Sequence, residues 1–207
     1  MADSYLTNVT SIGYRPVRPP MVTVVVFPGP CISEHQSMPK TRHELMARLD
    51  ELGIDTTTTD HEAVFTVGES NALHGRLAGG HTKNLFLKDA KDRLCLIVAE
   101  CHTAIDLKAL PKVIGSARLS FGKPELLMEV LGVTPGSVTA FAVLNDQQRR
   151  VSVVVDQRLM QYDTINCHPL VNTATTSIQR NDLMKFFAAC GHEPRILELS
   201  GLEGTAR

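Results

Sequence analysis

Apolar and polar positions fall into short regular blocks from Pro39 onward, and each block predicts an element. Leu45, Leu49 and Leu52 recur at helical spacing behind Thr41, with Glu44 three residues on, so a capped helix is expected to run to Gly53. Ala63–Val67 reads as a short strand, and Glu69–Leu77 as one or two helical turns closed by Gly79 and Gly80. Asn84–Asp89 and Arg93–Glu100 are two strands around the polar turn Asp89–Asp92, a hairpin. Asp106–Ile114 has a helical pattern but carries Pro111, which should break it. Pro124–Leu131 is a helix with proline at its first position and Gly132 after its last. Strands are predicted at Ala117–Ser120, Ser137–Leu144, Val151–Asp156, Asp163–Cys167, Thr173–Ile178 and Arg195–Leu199, and a helix at Asn181–Cys190.

Short strands joined by tight turns, with helices inserted irregularly, predict an α+β fold with a curved, mostly antiparallel mixed sheet surrounded by helices. The strict strand–helix alternation of a doubly wound fold is missing, and there is no internal repeat. One domain is expected over residues 38–200, with a polar tail at 201–207. Met1–Ser37 differs from the rest: five of the eleven prolines, four charged residues and one apolar run, Met21–Phe27. It is expected to be a poorly ordered leader outside the folded domain. Met38, just ahead of the first helix, is a candidate alternative translation start that N-terminal sequencing of the native protein would test.

Composition narrows the function classes. The 207 residues are 43% hydrophobic and 21% charged, with a net charge of −1, so no global field drives the chain onto nucleic acid or a lipid surface. No apolar run reaches the roughly 18 residues of a membrane span. The five cysteines, Cys31, Cys95, Cys101, Cys167 and Cys190, are scattered and form no CxxC, which points to a reducing, cytoplasmic setting. Charge is nevertheless uneven. Lys83–Lys123 holds eight basic residues against four acidic ones, a local net of +4 able to receive a polyphosphate or an RNA end.

Several chemistries can be set aside. Six residues separate Gly115 from Gly122 where a phosphate loop needs four, and Pro124 stands where that loop needs Ser or Thr. The eight histidines form neither HxxxH nor HExxH, so no metal site is expected. Cys167 and His168 are adjacent in an extended segment, where neighbouring side chains point to opposite faces, so they cannot form a thiol–base pair with each other. Cys167 is then a core residue, and His168 faces whatever lies on the other side of the sheet, at a strand end marked by Pro169.

Four ordered blocks carry a resemblance. They are Gly80-His81-Thr82-Lys83-Asn84-Leu85-Phe86-Leu87-Lys88-Asp89, Ala117-Arg118-Leu119-Ser120-Phe121-Gly122, Gly132–Thr139 and His168–Thr176. Together they resemble the stand-alone prolyl-tRNA editing proteins, the YbaK and ProX-type deacylases, closest to the branch that removes alanine from mischarged proline tRNA. The resemblance spans about Lys40–Ile178 and implies a mixed sheet surrounded by helices. It implies hydrolysis of the aminoacyl ester at the terminal adenosine, with aminoacyl-tRNA as partner, prolyl-tRNA synthetase as a further candidate partner, and no metal or organic cofactor. No serine or cysteine attacks the ester in that family; catalysis leans on the substrate's 2′-hydroxyl, ordered water and backbone groups.

Residue by residue, Lys83 matches the family lysine that holds the phosphate of the terminal adenosine, and His168 the histidine near the scissile ester. Asn84 is placed to donate to and accept from the substrate. Gly136, Ser137, Val138 and Thr139 match the loop lining the amino-acid pocket, and Ala140 stands where that loop usually ends in proline. Arg118 matches a basic residue placed to meet the acceptor end of the tRNA. Since a lysine at a strand's entry is seldom part of a core, Lys83→Ala should leave the fold unaffected. Two other classes share these residues: a binding module that holds aminoacyl-tRNA or a protein without turnover, and a small-molecule esterase that ignores the tRNA body.

Overall fold

The computed structural model describes residues 38–63 and 77–200. The leader, the tail at 201–207, the strand expected over Ala63–Val67 (but for Ala63) and the turns at Glu69–Leu77 (but for Leu77) lie outside the described residues. Among those described, eight strands form one sheet: β1 (Thr56–Asp60), β2 (Gly80–Asp89), β3 (Leu94–Glu100), β4 (Leu119–Phe121), β5 (Val151–Asp156), β6 (Thr164–Cys167), β7 (Ala174–Gln179) and β8 (Arg195–Leu197). Their order is β1-β7-β6-β2-β3-β5-β8, with β4 paired to β2. Four pairings are antiparallel and three, β2 with β6, β3 with β5 and β5 with β8, are parallel, so the sheet is mixed as expected. No helix among the described residues is long and apolar enough to cross a membrane.

Local sequence explains most elements. In α1 (Arg42–Glu51) the Thr41 hydroxyl accepts from the Glu44 N–H, and the Glu44 carboxylate accepts from the Thr41 N–H, closing a reciprocal cap. The Thr41 N–H, with Lys40 beside it, pulls the Glu44 carboxyl down to about 2. Leu45 and Leu49 point inward and are fully buried. The hairpin turn between β2 and β3 is organised by buried Asp89, which accepts from the Lys91, Arg93 and Ala117 N–H groups and from the Arg93 guanidinium. Burial alone would raise its pKa; those four donors outweigh burial and hold the carboxyl well below the usual range. β3 is buried along its whole length, as a strand covered on both faces should be.

Alternation along the strands sends side chains to two cores. The larger packs α1, α3 (Pro124–Leu131), α4 (Arg180–Ala189) and a 3₁₀ helix at Ala140–Asn145 against Phe86, Leu96, Val98, Val153, Val155 and Cys167. The smaller packs the short helix α2 (Leu110–Ile114) against Leu87, Cys95, Ile97 and Val154 on the other face. Phe186 lies at the centre of the larger core, fully buried and edge-on to Phe141 with ring centroids 5.3 Å apart. Phe186→Ala is therefore expected to cost about 3–5 kcal/mol, read as a lowered denaturation midpoint in urea.

Three expectations need correction. Ser137–Leu144 is not a strand: Thr139 caps the 3₁₀ helix by accepting from the Phe141 N–H, and Ala140, Phe141, Ala142 and Val143 are all buried. An uninterrupted apolar run carries no period that separates strand from helix. Asp106–Ile114, expected as a helix broken by Pro111, is helical over Leu110–Ile114 alone, and Pro111 stands in its first turn, where its missing N–H costs nothing. β1 was invisible because Thr-Thr-Thr-Thr-Asp has no apolar alternation; it is an edge strand, held to β7 in register and by the Thr58–Thr176 hydroxyl pair at 2.8 Å.

Candidate active site

β2 changes partners along its length. Gly80 and His81 pair with β6, Thr82–Lys88 pair with β3 on the opposite edge, and Leu87–Asp89 take β4 on the edge that β6 has left. Gly79 and Gly80 permit the close start: a β-carbon on Gly79, at φ +111°, would sit 2.5 Å from the Thr164 carbonyl oxygen, and one on Gly80 2.6 Å from the Tyr162 ring. The Thr82 hydroxyl still reaches the Asn166 carbonyl at 2.9 Å, and the Phe86 carbonyl already accepts from the Gly122 N–H at 2.9 Å. Between them, no described strand covers the edge of Lys83, Asn84 and Leu85. Among the described residues this leaves an uncovered stretch of edge, a slot roughly 13 Å long at the usual rise per residue.

Lys83 and Asn84 line the slot from opposite faces. Asn84 shares the face of Thr82 and Phe86, that of the larger core, while Lys83 shares the face of His81 and Leu85. The Lys83 ammonium donates to the Cys101 carbonyl at 3.1 Å and to the Thr103 carbonyl. Asp156 pins that turn from below, accepting from the Glu100 N–H at 3.2 Å and the Thr103 hydroxyl at 2.5 Å. With two of its three protons directed at carbonyls, Lys83 keeps one for a ligand. The Asn84 amide donates to the Thr82 hydroxyl at 3.4 Å, while its carbonyl oxygen is buried without a hydrogen-bond partner. An orphaned buried acceptor is costly unless a ligand supplies the donor.

His168 completes the Lys83 face. Cys167 sits in the larger core, 1% exposed, and burial pushes its thiol up to about 12, so it is no nucleophile at neutral pH. His168 turns the other way, and its Nδ1–H donates to the Ala174 carbonyl at 3.0 Å, which leaves Nε2 as the acceptor. Burial lowers its pKa below the usual imidazole value; the Ala174 bond opposes this, and the neighbouring His61 reinforces it. His61, which sequence reasoning missed, has its ring centroid 6.3 Å from that of His168. It follows the unrecognised strand β1, and no spacing in the sequence singles it out.

The segment Gly136–Ala140 meets the His168 loop on the side of the larger core. Gly136 has φ +90°, and a β-carbon there would lie 3.9 Å from the Asn172 amide nitrogen. Ser137, Thr139 and Ala140 are buried, and Val138 packs against the larger core. Buried Leu170, at φ +66°, anchors the same loop. Arg118 is not brought to this place. Its carbonyl accepts from the Ala90 N–H at the far end of β2, roughly 20 Å along the strand from Lys83.

Glu100, Cys101 and His102 are grouped with potential ligand atoms within 4.8 Å of one another. The Cys101 thiol donates to Glu100 at 3.1 Å and is pushed up to about 12, chiefly by burial. A metal ion there would have to displace that proton beside the Lys83 ammonium, so the donor set is poorly suited to a cation.

Comparison with known proteins identifies the family. The prolyl-tRNA editing protein ProX of Acetoanaerobium sticklandii is 38% identical over 76% of this chain and 97% of its own. The prolyl-tRNA synthetase associated domain-containing protein 1 of Danio rerio is 39% identical over 75% of this chain and 86% of its own. A crystal structure described as a candidate trans-editing enzyme for prolyl tRNA synthetase superposes with a TM-score of 0.60 at 17% identity, covering 78% of this chain and 99% of that one, a likeness of fold alone. The aminoacyl-tRNA editing domain family matches residues 61–186, which hold β2, the slot, Lys83, Asn84 and His168. On that match and on those relatives, the chain belongs to the aminoacyl-tRNA editing domain family.

Proposed function

We propose that residues 38–200 form a trans-editing deacylase that hydrolyses the ester of mischarged proline tRNA, with alanyl-tRNA(Pro) as its preferred substrate. The observation that carries this reading is the slot in the sheet, with Lys83 and a neutral His168 on one face and the unpartnered Asn84 carbonyl and the Gly136–Ala140 segment on the other. Lys83 directs its remaining proton to the phosphate of the terminal adenosine. The Asn84 oxygen accepts from the aminoacyl ammonium, whose side chain rests against Gly136, Ser137, Val138, Thr139 and Ala140. His168 Nε2 holds a water, directly or through the substrate's 2′-hydroxyl, against the ester carbonyl and takes up a proton as the water attacks. The ester C–O bond then breaks, and the ribose oxygen leaves as a hydroxyl on receiving a proton. These steps require no metal or organic cofactor, and cytoplasmic tRNA, with prolyl-tRNA synthetase as its source, is the partner that fits.

The test is a deacylation panel with alanine, cysteine, serine and proline each charged onto proline tRNA. Rapid release of alanine with proline spared is expected. Binding of alanyl-tRNA with the ester intact in single turnover would reject the enzyme in favour of a binding module. Cysteine or serine release at a comparable rate would assign Ala140, in place of the family proline, a wider pocket.

Arg118, far from the slot, is expected to act on the RNA body alone. Arg118→Ala should reduce the slope of log KM against log salt by about one, and leave kcat unchanged. An unaltered slope would make Arg118 ordinary surface.

A further inference from the structure

We propose that His61 is a positioning residue of this site, one that holds His168 in the tautomer with Nε2 free toward the slot. The proposal rests on the reading of His168 given above. The two imidazoles are hung from adjacent residues of β7, one from each. His168 Nδ1–H donates to the Ala174 carbonyl, and the Thr175 hydroxyl donates to His61 Nε2 at 3.0 Å. The direction of that second bond follows from the other ring nitrogen. His61 Nδ1 lies 2.7 Å from the Glu62 carbonyl, which can only accept, so Nδ1 carries the proton and Nε2 accepts. The His61 backbone is fixed as well, its N–H donating to the Thr173 carbonyl at 2.9 Å, at the end of the loop that carries His168.

Both nitrogens of His61 are therefore occupied, which excludes it as the proton acceptor for the ester. Its ring instead stands beside that of His168, tilted by 53°. In that place, on this proposal, it walls the flank of His168 and disfavours the ring flip that would present Nδ1 to the slot. Thr175 sits on the face of β7 that also carries Ser177, whose hydroxyl donates to Asn166 at 2.6 Å, so the anchor belongs to the face of Lys83 and His168. The adjacent Asp60 carboxylate is held by Arg42 at 2.5 Å and also interacts electrostatically with His61, while Glu62 meets the ring through its backbone carbonyl. A catalytic imidazole commonly owes its tautomer to the group bonded at its second nitrogen, and here a neighbouring ring protects that bond.

The experiment compares His61→Leu, which removes the acceptor for Thr175, with His61→Gln, whose side-chain oxygen can accept from it. Each is assayed for kcat and KM on alanyl-tRNA(Pro), for thermal melting, and by ¹⁵N NMR of the His168 ring. His61→Leu is expected to lower kcat by about tenfold or more with little change in KM, the scale of loss seen when the support of an active group is removed. The His168 signal should then pass from a single tautomer to a mixture, while His61→Gln keeps the single tautomer and most of the rate. Unchanged kcat and an unchanged His168 spectrum in His61→Leu overturn the proposal. Equal losses in both variants that merely track a fall in melting temperature overturn it as well. His168→Ala in parallel separates the two readings: if it leaves hydrolysis intact, the role given to His168 fails, whereas a large His168→Ala defect with a silent His61→Leu rejects His61 alone.

Discussion

His168→Ala is expected to lower kcat for alanyl-tRNA(Pro) hydrolysis by about 10²–10⁴-fold, the range typical of losing a positioned proton acceptor. The loss should fall on kcat more than on KM, because the phosphate and aminoacyl contacts lie on other residues. The pH profile supplies a second reading of the same group. Burial, reinforced by His61 and opposed by the Ala174 bond, disfavours the charged ring, so the acid limb of kcat/KM should lie below the ordinary imidazole value of about 6.5. Stability is linked to the same titration. Folding lowers the proton affinity of His168, so its contribution is complete above the unfolded value and is lost as pH falls below it toward the folded value. A wild-type acid limb above that value, or a His168→Ala variant with unaltered kcat, would remove His168 from the chemistry.

The parts of the fold that local chemistry dictates were legible in the sequence. The reciprocal Thr41–Glu44 cap, the Asp89 turn and the proline and glycine that bracket Pro124–Leu131 each act over a few residues, and each stands where the pattern put it. β1 and the 3₁₀ helix at Ala140–Asn145 were missed for one reason in two forms: a polar edge strand and a wholly buried apolar run both lack a period. The site divides in the same way. Lys83, Asn84 and His168 were named by motif, and alternation correctly turned Cys167 and His168 to opposite faces. The slot was not legible, because it exists only where β6 leaves the edge of β2 before β4 joins it, a fact of long-range register. His61 was not legible either, since its tie to Thr175 spans more than a hundred residues.

Lys83 is where motif and structure disagree most usefully. The motif assigns it to substrate phosphate and predicts a fold indifferent to its loss, yet its ammonium already donates to the carbonyls of Cys101 and Thr103. Lys83→Ala is therefore expected to act twice. Removing a charged donor from two carbonyls costs on the order of 1.5–3 kcal/mol, which for a domain of this size lowers the melting temperature by about 3–10 °C. Losing the contact to phosphate costs about 10- to 150-fold in kcat/KM on alanyl-tRNA(Pro) at a temperature where the variant remains folded. A free alanine ester lacks the phosphate, so its slow hydrolysis should change far less. The two substrates separate the roles, because a loosened turn at Cys101–Thr103 would impair both alike, whereas a lost phosphate contact impairs only the one that carries a nucleotide. Equal losses on both substrates, alongside the lowered melting temperature, would make Lys83 a tether of that turn and would require the phosphate to be held by another residue.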